Sequence, residues 1–213
     1  MSEESELSLG RIQSDAIIIR EAKSDLEEGL VFAQLFDAAS EGFFRSMLGI
    51  KTYEIIADAF VKSNNEYSFE NVMMIEYKSN IVGMVSGYTY AEKQGFKKNI
   101  LSQFQRGAKL RIMMFSVTGR VLSRFLGPRG NEDYYLQSIA VSSQMRGKGL
   151  GQRLLIHSGE IAIKKGSKTL SLDVSRKNKN AINSYNKFGM EIHSFWPNLL
   201  KLPPVFTRMV KEL

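Results

Sequence analysis

The chain reads as an α/β fold: a mixed central sheet flanked by helices, with a helical insert between its third and fourth strands. Three observations carry that reading. Apolar runs at 71–77 and 81–90, joined by Lys78-Ser79-Asn80, have the form of a hairpin. A further apolar run, Tyr134–Val141, leads through a short loop into a glycine-opened helix and then a strand at Thr169–Val174, the alternation of a βαβ unit. Between hairpin and unit, residues 91–130 switch to helical spacing, with Gly107 and Gly119 as punctuation.

The remaining elements follow in order. Ala16–Arg20 is β-branched and predicts the first strand. Ser24 followed by Glu27 has the capping-box spacing and predicts a helix start, with Leu30, Phe32, Leu35 and Phe36 as its apolar stripe. Tyr53, Ile56 and Phe60 predict a second helix over 51–63. Tyr134–Val141 is apolar at nearly every position, as in a strand buried on both faces. Helices are expected at Gly149–Lys164 and Asn178–Phe188, and closing strands at Ile192–Phe195 and Val205–Val210. The whole of 1–213 is expected to form one domain, with 1–12 a flexible tail and 91–130 a basic helical insert.

Composition narrows the chemistry. With 43% hydrophobic and 24% charged residues the chain is ordinary for a globular protein. It has no cysteine, which removes disulfides, thiolate metal sites and cysteine nucleophiles, and two histidines, His157 and His193, too few for a multi-histidine metal site. An acidic start, Met1-Ser2-Glu3-Glu4, and the lack of a long apolar run predict a cytoplasmic location. The net charge of +7 is concentrated: 93–130 holds nine basic residues and no acidic one, against 20 basic and 22 acidic elsewhere.

The chemistry-bearing stretch is Ile139-Ala140-Val141, a four-residue loop, then Arg146-Gly147-Lys148-Gly149-Leu150-Gly151. Glycines let backbone N–H groups approach an anion, a helix N-terminus adds a favourable dipole, and Arg146 and Lys148 add charge. A P-loop reading fails for want of the Gly-Lys-hydroxyl ending, and a dinucleotide loop would follow its strand at once.

At this point the sequence resembles the GCN5-related N-acetyltransferase (GNAT) family, as a bacterial-type member. Arg146-Gly147-Lys148-Gly149-Leu150-Gly151 matches that family's Gln/Arg-x-x-Gly-x-Gly/Ala loop after a hydrophobic-Ala-Val strand end. Asn178, Ala181, Tyr185 and Gly189 match its second signature, and the likeness covers about 133–192. The resemblance implies a mostly antiparallel GNAT-like sheet and an acetyl-CoA-dependent N-acyltransferase, with acetyl-CoA as donor cosubstrate and no metal. By position, the backbone of Ile139, Ala140 and Val141 would hold the pantetheine arm. The amides of Gly147, Lys148, Gly149, Leu150 and Gly151, with Arg146, would hold the pyrophosphate. Asn178 would touch the cofactor arm, and Tyr185 would lie near the sulfur and protonate the departing thiolate. Where the family often places a glutamate base on the central strand, this chain has Tyr135.

Each residue also has a plainer reading. Tyr185 alone would be a packing tyrosine, Asn178 a helix cap, and Asp173 a hydrogen-bonded structural carboxylate. The expected acceptor is a primary amine, a small molecule or a peptide N-terminus, attacked directly in a ternary complex. The basic insert favours an anionic one. Membrane contact through the insert ranks below that, no nucleic-acid partner is expected, and the protein is expected to be a monomer or homodimer. The competing readings are an acyl-CoA-binding sensor with little turnover, and an enzyme for longer acyl chains.

Overall fold

The structure, a computed structural model, describes residues 16–96, 127–197 and 204–213. The expected tail at 1–12 and residues 97–126 of the insert lie outside them. The described residues form a seven-stranded sheet ordered β1-β2-β3-β4-β5-β7-β6. Its strands are β1 (Ile17–Glu21), β2 (Val72–Tyr77), β3 (Asn80–Thr89), β4 (Asp133–Val141), β5 (Thr169–Ser175), β6 (Glu191–Trp196) and β7 (Phe206–Glu212). All neighbours pair antiparallel except β4 and β5, which are joined by the crossover helix that a parallel pair requires. The fold is therefore the mixed, mostly antiparallel α/β sheet expected from the sequence.

Helices α1 (Leu26–Ala39), α2 (Phe43–Leu48) and α3 (Thr52–Phe60) cover one face. There Phe32 stacks within 5.2 Å of Phe36 and 5.0 Å of Phe60, over Val72, Met74 and Met84. Helices α5 (Leu150–Lys164) and α6 (Lys179–Lys187) cover the other, with Leu150, Leu154, Leu155 and Ala162 packed on Leu136, Leu170 and Leu172. A short α4 (Tyr90–Gly95) leaves β3 through a capping box of Thr89 and Glu92 and leads into the insert.

Three details differ from the sequence expectation. The cap of α1 is Asp25, whose carboxylate accepts from the Glu28 N–H at 2.8 Å; Ser24 instead donates to the Val61 carbonyl at 3.2 Å. Asp25 wins because a carboxylate is the stronger acceptor for the free amides of a first turn. Helix α2 was not foreseen: six residues opened by Gly42, with no side-chain cap, carry too little periodicity to read. Strand β4 is buried along Asp133–Leu136 only, and Gln137–Val141 is half-exposed.

That last difference is the central feature of the fold. Pairing of β4 with β5 ends at Leu136 opposite Leu172, although β4 runs on to Val141 and β5 to Ser175. On its other side β4 goes from Ser138 opposite Ser86 to Leu136 opposite Gly87, leaving Gln137 as a bulge. A bulge bends its strand. The two parallel strands part there, opening a V at the sheet centre.

Candidate active site

One arm of the V ends in the glycine loop. Gly147 and Gly149 have φ of +76° and +81°, the left-handed region that residues with a Cβ rarely adopt. Gly149 is the N-cap of α5 and offers no side chain, so the first amides of this 15-residue helix point out uncapped. Gly151 has no such backbone demand, and a Cβ built on it meets nothing within 4 Å. Among the described residues nothing requires glycine there, whereas a bulky anion seated on the helix end would.

A cleft of about 500 Å³ opens at this point between Val141, the loop and α6. Of the residues expected in the site, it is lined by Val141, Arg146, Gly147, Gly149, Leu150 and Gly151. Arg146 is turned inward at its stem, its Nε donating to the Val141 carbonyl at 3.1 Å. Ile139 and Ala140 lie further up the open half of β4, outside the cleft lining, and Lys148 turns aside, its ammonium 3.7 Å from the Met145 sulfur. Asn178 caps α6, accepting from the Ala181 N–H at 3.1 Å, and does not line the cleft.

The opposite wall was missed in the sequence. Asn180, Asn183, Ser184 and Lys187 line it, joined by Gln152, whose amide donates to the Ser184 carbonyl at 2.8 Å and so ties α5 to α6. Their spacing of three, one and three residues is one helical face, a signal the sequence did contain. Tyr185 faces inward from α6, half-buried against the core between the two helices. Loss of water pushes its phenol up to about 12, so the hydroxyl is protonated at neutral pH.

The other face of the V is polar and aromatic. Tyr134 and Leu136 on β4, and Leu170, Leu172 and Val174 on β5, pack toward α5, so Tyr135 and Asp173 project toward the face that α1 and α3 cover. Tyr135 stands opposite Tyr88 of β3, ring centroids 5.8 Å apart, and Asp173 stands opposite Arg208 of β7. The Asp173 carboxylate is a hub. Arg208 grips it with Nε at 3.0 Å and through Nη2, the Tyr135 hydroxyl donates at 3.2 Å, and the Trp196 indole at 3.3 Å. The plainer reading of Asp173, a satisfied structural carboxylate, is the one the geometry supports. Burial, and then the neighbouring Asp173, push the Tyr135 phenol well above its ordinary value, which disqualifies it as a base near neutrality.

Glu66, Tyr67, Tyr88 and Lys93 complete this face. Burial raises Glu66 and lowers Lys93, each partly offset by the other's charge. The two ends of the insert arrive here as well. Phe96 packs edge-on against Tyr88 at 5.0 Å, and the Gly127 carbonyl accepts from Arg208 Nη1 at 2.9 Å. Of the other titratable groups near the V or on its strands, Asp133 is occupied by Thr169, Ser171 and the Arg129 N–H, Glu132 is paired with Lys168 at the surface, and His193 lies on the exposed edge strand β6.

Comparison with known proteins agrees with this geometry. The model of the Acetyltransferase (GNAT) family matches residues 32–190. No curated protein is similar enough in sequence to count as a relative. Solved structures share the fold at low identity. A structure described as an acetyltransferase is 20% identical with a TM-score of 0.65, covering 92% of this chain and 98% of its own. An N-acetyltransferase from Staphylococcus aureus Mu50 is 15% identical with a TM-score of 0.67, covering 91% and 100%. The NatC complex bound to Gag peptide and CoA contains a chain 12% identical with a TM-score of 0.52, covering 92% and 98%. A family match spanning the V, the glycine loop and α6 alike leaves one assignment: this chain belongs to the GNAT acetyltransferase family.

Proposed function

We propose that the protein is an N-acetyltransferase that moves an acetyl group from acetyl-CoA to a primary amine by direct attack in a ternary complex. The observation that carries this is the V itself: on the side facing β5, β4 has no strand partner from Gln137 to Val141, and this edge leads from an uncapped helix terminus to the sheet centre. An extended pantetheine arm can add there as a strand would, with the pyrophosphate on the amides of 147–151 beside Arg146. The open space at Gly151 fits a phosphate group, and the polar wall of α6 fits a hydrated nucleotide tail. CoA in the NatC complex gives this reading a precedent in the same fold.

In this reading acetyl-CoA supplies the activated acyl group. The chain's own residues position the amine at the apex of the V, exclude water and manage two protons. Tyr185, protonated and desolvated on the α5–α6 side, is the donor to the leaving sulfur. The Ser138 hydroxyl, buried beside the bulge with no hydrogen-bond partner among the described residues, is a further polar atom that a bound acetyl or amine could satisfy. No helix among the described residues is long and apolar enough to cross a membrane, and we place the enzyme in the cytoplasm, with its cosubstrate.

The test is thiol release from acetyl-CoA against spermidine, tyramine, glutamate, aspartate and a Met-initiated tripeptide. Turnover with at least one amine is expected. The anionic members test whether the nine cations of 93–130 select the acceptor. Tight acetyl-CoA binding without turnover on any amine would replace the enzyme with an acyl-CoA sensor.

A further inference from the structure

The Tyr135 position leaves strand β4 without a usable base, so the proton of the acceptor ammonium must be received elsewhere. The loop between α3 and β2 is built to hold one carboxylate there. Asn65 is wholly buried and organises the loop: its amide donates to the Ala59 and Lys62 carbonyls at 3.0 and 2.7 Å, and its side-chain oxygen accepts from the Tyr67 N–H at 2.9 Å. Its own carbonyl takes the Ser68 N–H at 3.1 Å and the Asn71 amide at 2.9 Å. Tyr67 and Ser68 are buried behind it. Glu66 is thus fixed on both sides by groups that face inward. A loop satisfied this completely holds its backbone in one place, which fixes where Glu66 leaves the chain.

Its surroundings are those of the polar face. Glu66 lies within electrostatic reach of the Tyr67 phenol beside it, of Lys93 on α4 and of Tyr88 on β3. Behind these stand Arg208 on β7 and Asp173 on β5, which also act on Tyr88 and Lys93. Tyr88 in turn lies against Tyr135 at the closed end of the V. The other carboxylates near the apex have full sets of partners: Asp173 holds Arg208, Tyr135 and Trp196, and Asp133 holds Thr169, Ser171 and an amide.

We propose that Glu66 is the general base, receiving the proton of the acceptor ammonium from the α3–β2 loop in place of a glutamate on β4. The inference rests on the N-acetyltransferase reading. The ammonium gives one proton to Glu66, directly or through one water, and the neutral nitrogen attacks the thioester carbon. The N–C bond forms as the C–S bond breaks. The nitrogen's second proton replaces the one Tyr185 gives to the thiolate, and Glu66 releases its own to solvent, so each turnover liberates one proton. Burial raises the carboxyl above its ordinary value, which brings the base closer to working pH; the neighbouring Tyr67 phenol and Lys93 limit the rise.

The experiment is kcat/KM against pH for wild type and Glu66→Gln, using saturating acetyl-CoA and the panel amine that wild type turns over fastest. Acetyl-CoA affinity and melting temperature are measured alongside. Wild type should lose activity on the acid side at a pH above the ordinary glutamate range. Glu66→Gln should fall about 10²-fold or more at neutral pH, the scale of a lost general base. Its deficit should shrink as pH rises and the amine arrives already neutral, with cofactor affinity unchanged. A deficit equal at every pH would mark a structural role and overturn the proposal, as would a wild-type rate in the mutant. If Glu66→Gln loses its wild-type melting temperature, Glu66→Asp serves: a reduced rate with the acid limb retained supports the base, and an unaltered rate overturns it. Wild type inactive on every amine would overturn the enzyme reading and this inference together, whereas a normal mutant beside an active wild type overturns Glu66 alone.

Discussion

The Tyr135 hydroxyl donates to Asp173 at 3.2 Å at the place where β4 and β5 cease to pair. One carboxylate holds the V together there. With Arg208 and Trp196 as its other partners, Asp173 connects β4, β5, β6 and β7. A parallel pair that separates midway gives up ladder hydrogen bonds, and side-chain bonds to a shared acceptor restore part of that cohesion.

Asp173 and Arg208 are 1% and 5% exposed at their side chains, so their pairing is a buried one. Removing one partner leaves the other charge without compensation. Asp173→Asn should cost about 3–5 kcal/mol, read by urea or thermal unfolding. The double substitution Asp173→Leu with Arg208→Met should recover most of that loss, since neither charge is then stranded. A double variant as unstable as the single one would mean that Tyr135 and Trp196 dominate the hub.

What the sequence made legible is what depends on neighbours in the chain. The Arg146–Gly151 loop, the Asn178 cap and the Lys78-Ser79 turn are local, and the structure has the last with φ of +50° and +62° at its two residues, as a tight hairpin turn requires. The Asp173 hub was not legible, because its partners come from three other strands, 23 to 38 residues away. Asn65 was equally hidden: an asparagine between polar residues looks like loop surface until the carbonyls around it are known. The bulge at Gln137, which opens the V, follows from the pairing of β4 with β3 and has no signature in β4 alone.

Two glycines of the loop, Gly149 and Gly151, should separate by substitution. Gly149→Ala meets no steric neighbour among the described residues but is forced to φ +81°, a cost on the order of 1 kcal/mol in stability. Gly151→Asp carries no such strain, so its melting temperature should stay near wild type. It places a carboxylate on the helix terminus where the pyrophosphate is proposed to sit, and acetyl-CoA affinity by calorimetry should drop below detection. Unchanged affinity would remove the loop from the site.

Glu92 links the start of the insert to the body of the fold. Partial burial pushes its carboxyl up, but the Lys165 ammonium at 2.6 Å and the Thr89 N–H at 2.7 Å outweigh that and hold it below the ordinary range. A folded-state value below the unfolded one means the stabilisation is full above the unfolded pKa and fades as pH falls through the folded one. Glu92→Gln should therefore be less stable than wild type at pH 7. The gap should narrow as pH is lowered below about 4, the unfolded glutamate range. Denaturant titrations across that range decide it, and a gap independent of pH would assign the loss to cap geometry instead of charge.

Tyr185 gives the sharpest separation of binding from chemistry. Its ring packs against the core between α5 and α6, and burial alone, with no hydrogen-bond partner among the described residues, shifts its hydroxyl. Tyr185→Phe therefore removes an oxygen without stranding a partner, and stability should change by less than about 1 kcal/mol. Acetyl-CoA affinity should hold, because the cleft that would seat the nucleotide is lined by other residues. The rate is another matter. With its phenol pushed up to about 12, Tyr185 keeps its proton throughout neutral pH, and a lost general acid lowers kcat by about 10²–10⁴-fold. A leaving group that needs less help should suffer less, so the deficit with 4-nitrophenyl acetate as donor should be smaller than with acetyl-CoA. Equal deficits for the two donors would move Tyr185 from proton donor to a role in positioning. No deficit in single-turnover rates would leave the thiolate to be protonated by solvent.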